Sequence, residues 1–189
     1  MKKIVFFGDS LTAGYGLRDP EKESIPALIS HRLKHLGMDF EVSNAGISGD
    51  TTRTAIDRLA SILVGDIAVF VLELGANDFL RGHSVREVES NLQTIITNVK
   101  KAYPQSAILL LGLELPYWAH VGHGSGFGGI FQNLAKANSI ALVPSFLSGV
   151  AGNRALNMPD GVHPLAAGYQ LATDNILPAL LKILKSENR

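Results

Sequence analysis

With 189 residues, 46% of them apolar and 18% charged, the chain suits a single packed domain over residues 1–189 and is too apolar to be a disordered one. Lysine plus arginine equals aspartate plus glutamate at 17 each, so charge gives no reason to expect nucleic acid or an anionic membrane as partner. Cysteine is absent, which removes disulfides, thiolate metal sites and a cysteine nucleophile together without deciding the compartment.

The chain opens on Met1-Lys2-Lys3, the charge pattern that heads a signal peptide, but the apolar stretch at 4–7 is too short for a signal's apolar core. The expected location is cytoplasmic if the chain is complete, and periplasmic or secreted if a signal was removed. No run reaches transmembrane length, and no stable membrane insertion is expected. Residues 4–7 read as a first strand that breaks into Gly8-Asp9-Ser10. Those three are turn formers, or they hold a hydroxyl at the mouth of a sheet. Ile25, Leu28, Ile29 and Leu33 then share one helical face, with Lys34 and His35 off it. Apolar runs at 40–43 and 67–74 read as the second and third strands. The second of these runs is nearly continuous, as in a central strand buried on both faces. Ser84-Val85-Arg86-Glu87 predicts a capping box ahead of Val88, Leu92, Ile95, Ile96 and Val99. A fourth strand at 107–113 leads into a glycine-rich loop at 120–129, and a fifth follows at 140–143. The last helix is predicted to start at Pro164 and run through Leu165, Tyr169 and Leu171 toward Leu184, kinked or broken by Pro178.

Strands alternating with helices predict right-handed crossovers and a parallel sheet. The expected fold is α/β, a three-layer α/β/α sandwich on a five-stranded parallel sheet in flavodoxin-like order. Ligands of such sheets bind beyond the carboxyl ends of the strands. Gly8-Asp9-Ser10, Asn44-Ala45-Gly46, Gly75-Ala76-Asn77-Asp78 and Asp160-Gly161-Val162-His163-Pro164 all fall on that edge. A candidate nucleophile, candidate donors and an acid–imidazole pair therefore converge. A serine hydroxyl needs a base, and His163 is the candidate. Asp160, three residues earlier, can reach Nδ1 from a turn and leave Nε2 to face Ser10.

Four blocks carry a resemblance: "GDSLTAGYG" at 8–16, "NAGISGDTT" at 44–52, "GAND" at 75–78 and "DGVHP" at 160–164. In this order they resemble the SGNH hydrolases, the GDSL esterase/lipase family, and among them the small bacterial thioesterases, arylesterases and lysophospholipases. The resemblance implies a serine esterase or acyl hydrolase that cleaves carboxylic esters or thioesters through an acyl-enzyme, with lipid-type or aryl acyl substrates favoured. It implies Ser10, Asp160 and His163 as catalytic residues. It also implies an oxyanion hole made by the Ser10 N–H, the Gly46 N–H and the Asn77 side-chain amide. Glycine lets backbone approach a substrate closely, and an amide stays a donor at any working pH. Leu11, Tyr117, Trp118 and Phe127 are the apolar and aromatic residues expected at the substrate.

Asp9 and Asp78 are expected to be structural, as caps or partners within their own loops. His31 and His35, one turn apart, read as a solvated helix face rather than a metal pair, and His83 reads as solvent-facing. His120 and His123 lie in the glycine-rich loop. No metal or cofactor is expected. "GSGFGG" at 124–129 matches a dinucleotide pattern, but no acidic residue follows at the required distance. Walker A and G-x-S-x-G signatures are absent. Two other readings compete. A carbohydrate O-acetylesterase would stack a sugar on the aromatic residues after the fourth strand. A flavodoxin-like binding module would need no Asp160–His163 pair. The expected partner is a small-molecule ester, on a monomer or small homo-oligomer.

Overall fold

The computed structural model describes residues 1–113 and 126–186. Its elements in chain order are β1 (Lys3–Gly8), α1 (Ser10–Ala13), α2 (Pro20–Glu23), α3 (Ile25–His35), β2 (Glu41–Gly46), α4 (Thr52–Ile62) and β3 (Ile67–Glu73). They continue with α5 (Ala76–Leu80), α6 (Val85–Ala102), β4 (Ala107–Leu111), α7 (Phe127–Asn138), β5 (Ala141–Val143) and α8 (Ala166–Ser186). The strands form one parallel sheet in the order β2-β1-β3-β4-β5, the expected flavodoxin-like order. The chain steps one way from β1 to β2 and the other way from β3 onward. Right-handed crossovers then send helices to opposite faces. Accordingly α3 packs with α8, while α4, α6 and α7 pack in a row.

All seven residues of β3 are buried, and its apolar run fills the centre of the sheet. The α6 stripe Val88, Leu92, Ile95, Ile96 and Val99 is fully buried at i, i+3, i+4 spacing against that sheet. The reversal in strand order opens the crevice between β1 and β3, where ligands of such sheets bind.

Four local features differ from the expectation. At Ser84 the cap is one-sided: its hydroxyl accepts the Glu87 amide at 3.2 Å. The reciprocal box is at the head of α4, between Thr51 and Thr54. α7 begins at Phe127, so the last part of the glycine-rich stretch is helical. α8 begins at Ala166, and Pro164 bridges back to Asn157 instead. α8 also runs on through Pro178 without a break. Pro178 and Asp174, whose carbonyl the missing N–H would have met, are both solvent-exposed, so water can take that carbonyl. No helix among the described residues is long and apolar enough to cross a membrane.

Candidate active site

Three parts of the site hang from the ends of β1, β2 and β3, and the fourth is the turn at 160–163 ahead of α8. β1 ends at Gly8, where a Cβ would lie 2.2 Å from Thr12 Oγ1 and 2.6 Å from the Glu73 carbonyl, so only glycine fits. Asp9 caps α1 by accepting the Leu11 amide on Oδ1 at 3.0 Å. That cap places Ser10 as the first residue of α1, where its own N–H has no acceptor within the helix.

The Ser10 Oγ lies 2.9 Å from His163 Nε2. His163 Nδ1 lies 2.7 Å from Asp160 Oδ2. An Nδ1–H held by the carboxylate leaves the Nε2 lone pair for the serine proton. Asp160 Oδ1 also accepts the backbone amides of Val162 at 2.9 Å and His163 at 3.0 Å, which closes the turn that carries both groups. Burial works against the Asp160 charge. The hydrogen bonds from the His163 amide, its imidazole and the Val162 amide outweigh it and hold the carboxyl down at about 2. The turn itself is tied down, with the Met158 amide on the His163 carbonyl at 2.8 Å.

Asn77 sits in α5, after Gly75 (φ 124°) has turned the chain off β3. Its Nδ2 donates to Asp9 Oδ2 at 3.1 Å and to the Asp50 carbonyl at 2.9 Å. Asp78 turns away from the site. Its carboxylate accepts both the amide (2.8 Å) and the hydroxyl (2.7 Å) of Thr52, which fastens α5 to the head of α4. Arg58 of α4 reaches back to the carbonyls of Ala45 and Gly8 and pairs with Asp50, with its guanidinium over the Phe7 ring. One side chain thus holds the loops after β1 and β2 together.

A profile of the GDSL-like lipase/acylhydrolase family matches residues 6–171. The esterase TesA of Pseudomonas aeruginosa is 35% identical over 183 residues, 96% of this chain and 89% of that protein. An arylesterase of Vibrio mimicus is 33% identical, over 97% of this chain and 90% of its own. A crystal structure of TesA superposes with a TM-score of 0.88 at 33% identity, covering 97% of this chain and 99% of that one. The chain belongs to the GDSL-like lipase/acylhydrolase family. As a member of it, the protein is a hydrolase of ester bonds.

Several residues of this GDSL hydrolase are placed otherwise than its sequence suggests. Gly46 lies against α1, where a Cβ would sit 2.3 Å from the Ala13 nitrogen. Its N–H donates to Asn44 Oδ1 at 3.0 Å, so the expected oxyanion donor is already engaged. Gly49, further along the same loop at φ 86°, has an amide without an acceptor among the described residues, and its carbonyl is held by Arg81 at 2.9 Å. Leu11 is buried in the core rather than at the surface, as is Phe127. The Phe127 ring meets Phe79 edge-on at 5.6 Å and Phe131 at 6.2 Å, so its apolar surface goes to packing. Tyr117 and Trp118 lie outside the described residues, as do His120 and His123.

The His31 and His35 rings stack edge-on in solvent with Nε2 atoms 3.1 Å apart. No group of three metal-ligating side chains forms among the described residues. His83 is not free in solvent but sits 3.3 Å from Asp78 Oδ1.

Two residues beside the site carry more than their spacing suggested. Tyr15, half exposed, lays its ring 4.5 Å from the His163 ring, and its carbonyl accepts the Tyr169 hydroxyl at 3.1 Å. It stands in the "GDSLTAGYG" block, but only the folded turn brings it back over the imidazole. Glu73, the last residue of β3, is buried against Asp9. A glutamate ending a run of six apolar residues is the signal that a sequence reading can use here.

Proposed function

We propose that the hydrolase works through an acyl-enzyme on Ser10, with His163 as base and Asp160 as the carboxylate that orients it. One observation carries this reading: the unbroken line of hydrogen bonds from Asp160 through His163 to Ser10 at the carboxyl edge of the sheet. As the Ser10 oxygen bonds to the ester carbon, its proton passes to His163 Nε2, and the carbonyl oxygen takes the negative charge. Collapse breaks the bond to the alkoxy group, which leaves with the proton from the imidazolium. Water then repeats the sequence on the acyl-serine and releases the acid.

The oxyanion meets the Ser10 N–H and the Asn77 amide in this reading, with the Gly49 N–H as the free backbone donor of the β2 loop. Gly46 would take part only if the Asn44 side chain released it. Asn77 uses one hydrogen on Asp9 and one on the neutral Asp50 carbonyl. A charged oxygen is the stronger acceptor and draws the second hydrogen to itself. Tyr15 offers an aromatic wall beside His163. That wall, and the aryl and simple esterase names of the relatives, support small carboxylic esters with apolar or aryl groups as the substrate class.

The test is steady-state hydrolysis of nitrophenyl esters from short to long acyl chains, alongside acyl thioesters and sugar acetates, by the wild type and Ser10→Ala. Turnover of the esters that vanishes in a folded Ser10→Ala supports the reading. A variant that retains turnover removes Ser10 from the chemistry. A preference for sugar acetates replaces the substrate class.

A further inference from the structure

Asp9 and Glu73 are both fully buried, one at the end of β1 and the other at the end of β3. Glu73 Oε2 accepts the Thr12 hydroxyl at 2.9 Å and the Asp9 amide at 3.3 Å, while Oε1 receives no hydrogen bond from any described residue. Neither carboxyl forms an ion pair with a lysine or arginine among the described residues. Arg58 approaches from α4 but is committed to Asp50 and to two carbonyls. Two buried carboxyls with no cation between them do not both ionise.

The other titratable groups around the pair are His163, whose imidazolium form favours an ionised Asp9, and Tyr169 of α8. Burial pushes the Tyr169 hydroxyl up, and negative charge on the carboxyl groups near it pushes it further, so it stays a neutral donor. Burial also pushes Asp9 up to about 6, against the hydrogen bond from the Leu11 amide and its contacts with Glu73, His163 and Asn77. It pushes Glu73 well above the usual carboxylate range, and the neighbouring Asp9 adds to that rise.

We propose that Asp9 and Glu73 are positioning residues for Asn77: Glu73 keeps its proton and gives it in a hydrogen bond to Asp9, and the Asp9 carboxylate holds the Asn77 amide with its NH₂ toward the reacting centre. The proposal rests on the serine-hydrolase reading above. An ionised Asp9 accepts only the NH₂ end of the Asn77 amide, since the carbonyl end would face a negative charge. A protonated Asp9 bonds to either end, and the lock is lost. The proton on Glu73 also explains why Oε1 needs no donor: an acid oxygen gives a hydrogen bond where a carboxylate must receive one. Asp9 therefore caps α1 with one oxygen and orients the oxyanion donor with the other.

The experiment measures kcat and KM against pH for Asp9→Asn, Glu73→Ala, Glu73→Gln, Asn77→Ala and the Asp9→Asn/Asn77→Ala double variant, with circular dichroism as the fold control. Asp9→Asn is expected to lower kcat about 10–100-fold with KM within about threefold, and to cost less than about threefold more once Asn77 is already alanine. The wild-type profile is expected to lose kcat on the acid side as Asp9 takes up a proton, a step absent from Asp9→Asn. Glu73→Ala is expected to fall as far as Asp9→Asn, while Glu73→Gln recovers most of that loss because its NH₂ replaces the acid O–H as donor. Losses that add fully in the double variant, or a Glu73→Gln as poor as Glu73→Ala, overturn the proposal. Carbon NMR of the wild-type chain, with glutamate labelled at its carboxyl carbon, needs no variant to fold. One glutamate protonated at neutral pH supports the proposal, and every glutamate ionised there overturns it. Ser10→Ala separates the two readings. If it stays active, the serine reading falls and takes this one with it, whereas additive losses with an inactive Ser10→Ala overturn this one alone.

Discussion

Asn77 carries two amide hydrogens, and both have protein acceptors in the resting enzyme. In the proposed mechanism the one on the Asp50 carbonyl is exchanged for the oxyanion, so its value appears only as charge develops. Asn77→Ala is therefore expected to lower kcat by roughly 10²–10³ with little change in KM, measured on a nitrophenyl ester. A rise in KM with kcat intact would make Asn77 a ground-state binder. Asp160 leads to a different measurement. Its folded carboxyl is held at about 2, below the ordinary 3.8. A lowered carboxyl contributes stability that is present above the ordinary value and is lost as pH falls through the folded value. The gap in melting temperature between wild type and Asp160→Asn is expected to narrow as pH falls from about 4 toward about 2. Above that window Asp160 stays charged, so any acid loss of activity near neutrality belongs to other groups. The hydrogen-bonded arrangement of Ser10, His163 and Asp160 was legible in the sequence because its parts stand in short motifs. Glu73 and Tyr15 went unread: a glutamate closing an apolar run marks Glu73 as unusual, but its contact with Asp9, like that of Tyr15 with His163, joins distant parts of the chain and no local spacing encodes it.

At the level of elements, the strands and the helices α3, α6 and α8 followed from apolar periodicity, with ends within a few residues, while α4 and α7 were not read from it. What escaped were short helices set by caps and turns, such as α1 under Asp9 and α5 after Gly75. The glycine-rich stretch misled in a specific way. Three residues of it form the first turn of α7, and Phe127 faces Phe79 and Phe131 in the core. Phe127→Ala is expected to destabilise the fold by about 3–5 kcal/mol in urea unfolding, through the cavity it leaves, rather than to shift acyl-chain preference in an ester panel. Unchanged stability with a shifted preference would return Phe127 to the substrate. Pro178 is the other departure. A proline inside a helix costs about 3 kcal/mol through its missing hydrogen bond, partly offset by the stiffness it gives the unfolded chain. Pro178→Ala is expected to raise stability by about 1–2 kcal/mol with activity unaltered, since Pro178 lies in mid-helix on the exposed face of α8. A loss of stability would mean that the helix is shaped around the proline.

On the scale of the whole molecule, the strand order creates the site. Reversal between β1 and β3 leaves a crevice at their carboxyl ends, and four separate loops deliver Ser10, the Gly49 loop, Asn77 and the Asp160–His163 turn to it. That convergence was readable from motif positions once the sheet order was expected. The engaged amide of Gly46 was not, because it depends on the Asn44 side chain turning back onto its own strand end, a rotamer that no spacing encodes. The most direct measurement is peptide mapping by mass spectrometry after reaction with a fluorophosphonate, on the wild type and on His163→Ala. The expected result is one adduct, on the peptide carrying Ser10, formed quickly in the wild type and far more slowly without His163. An adduct on Ser48 or another serine, or labelling of Ser10 at the same rate without His163, would contradict the Ser10–His163–Asp160 assignment.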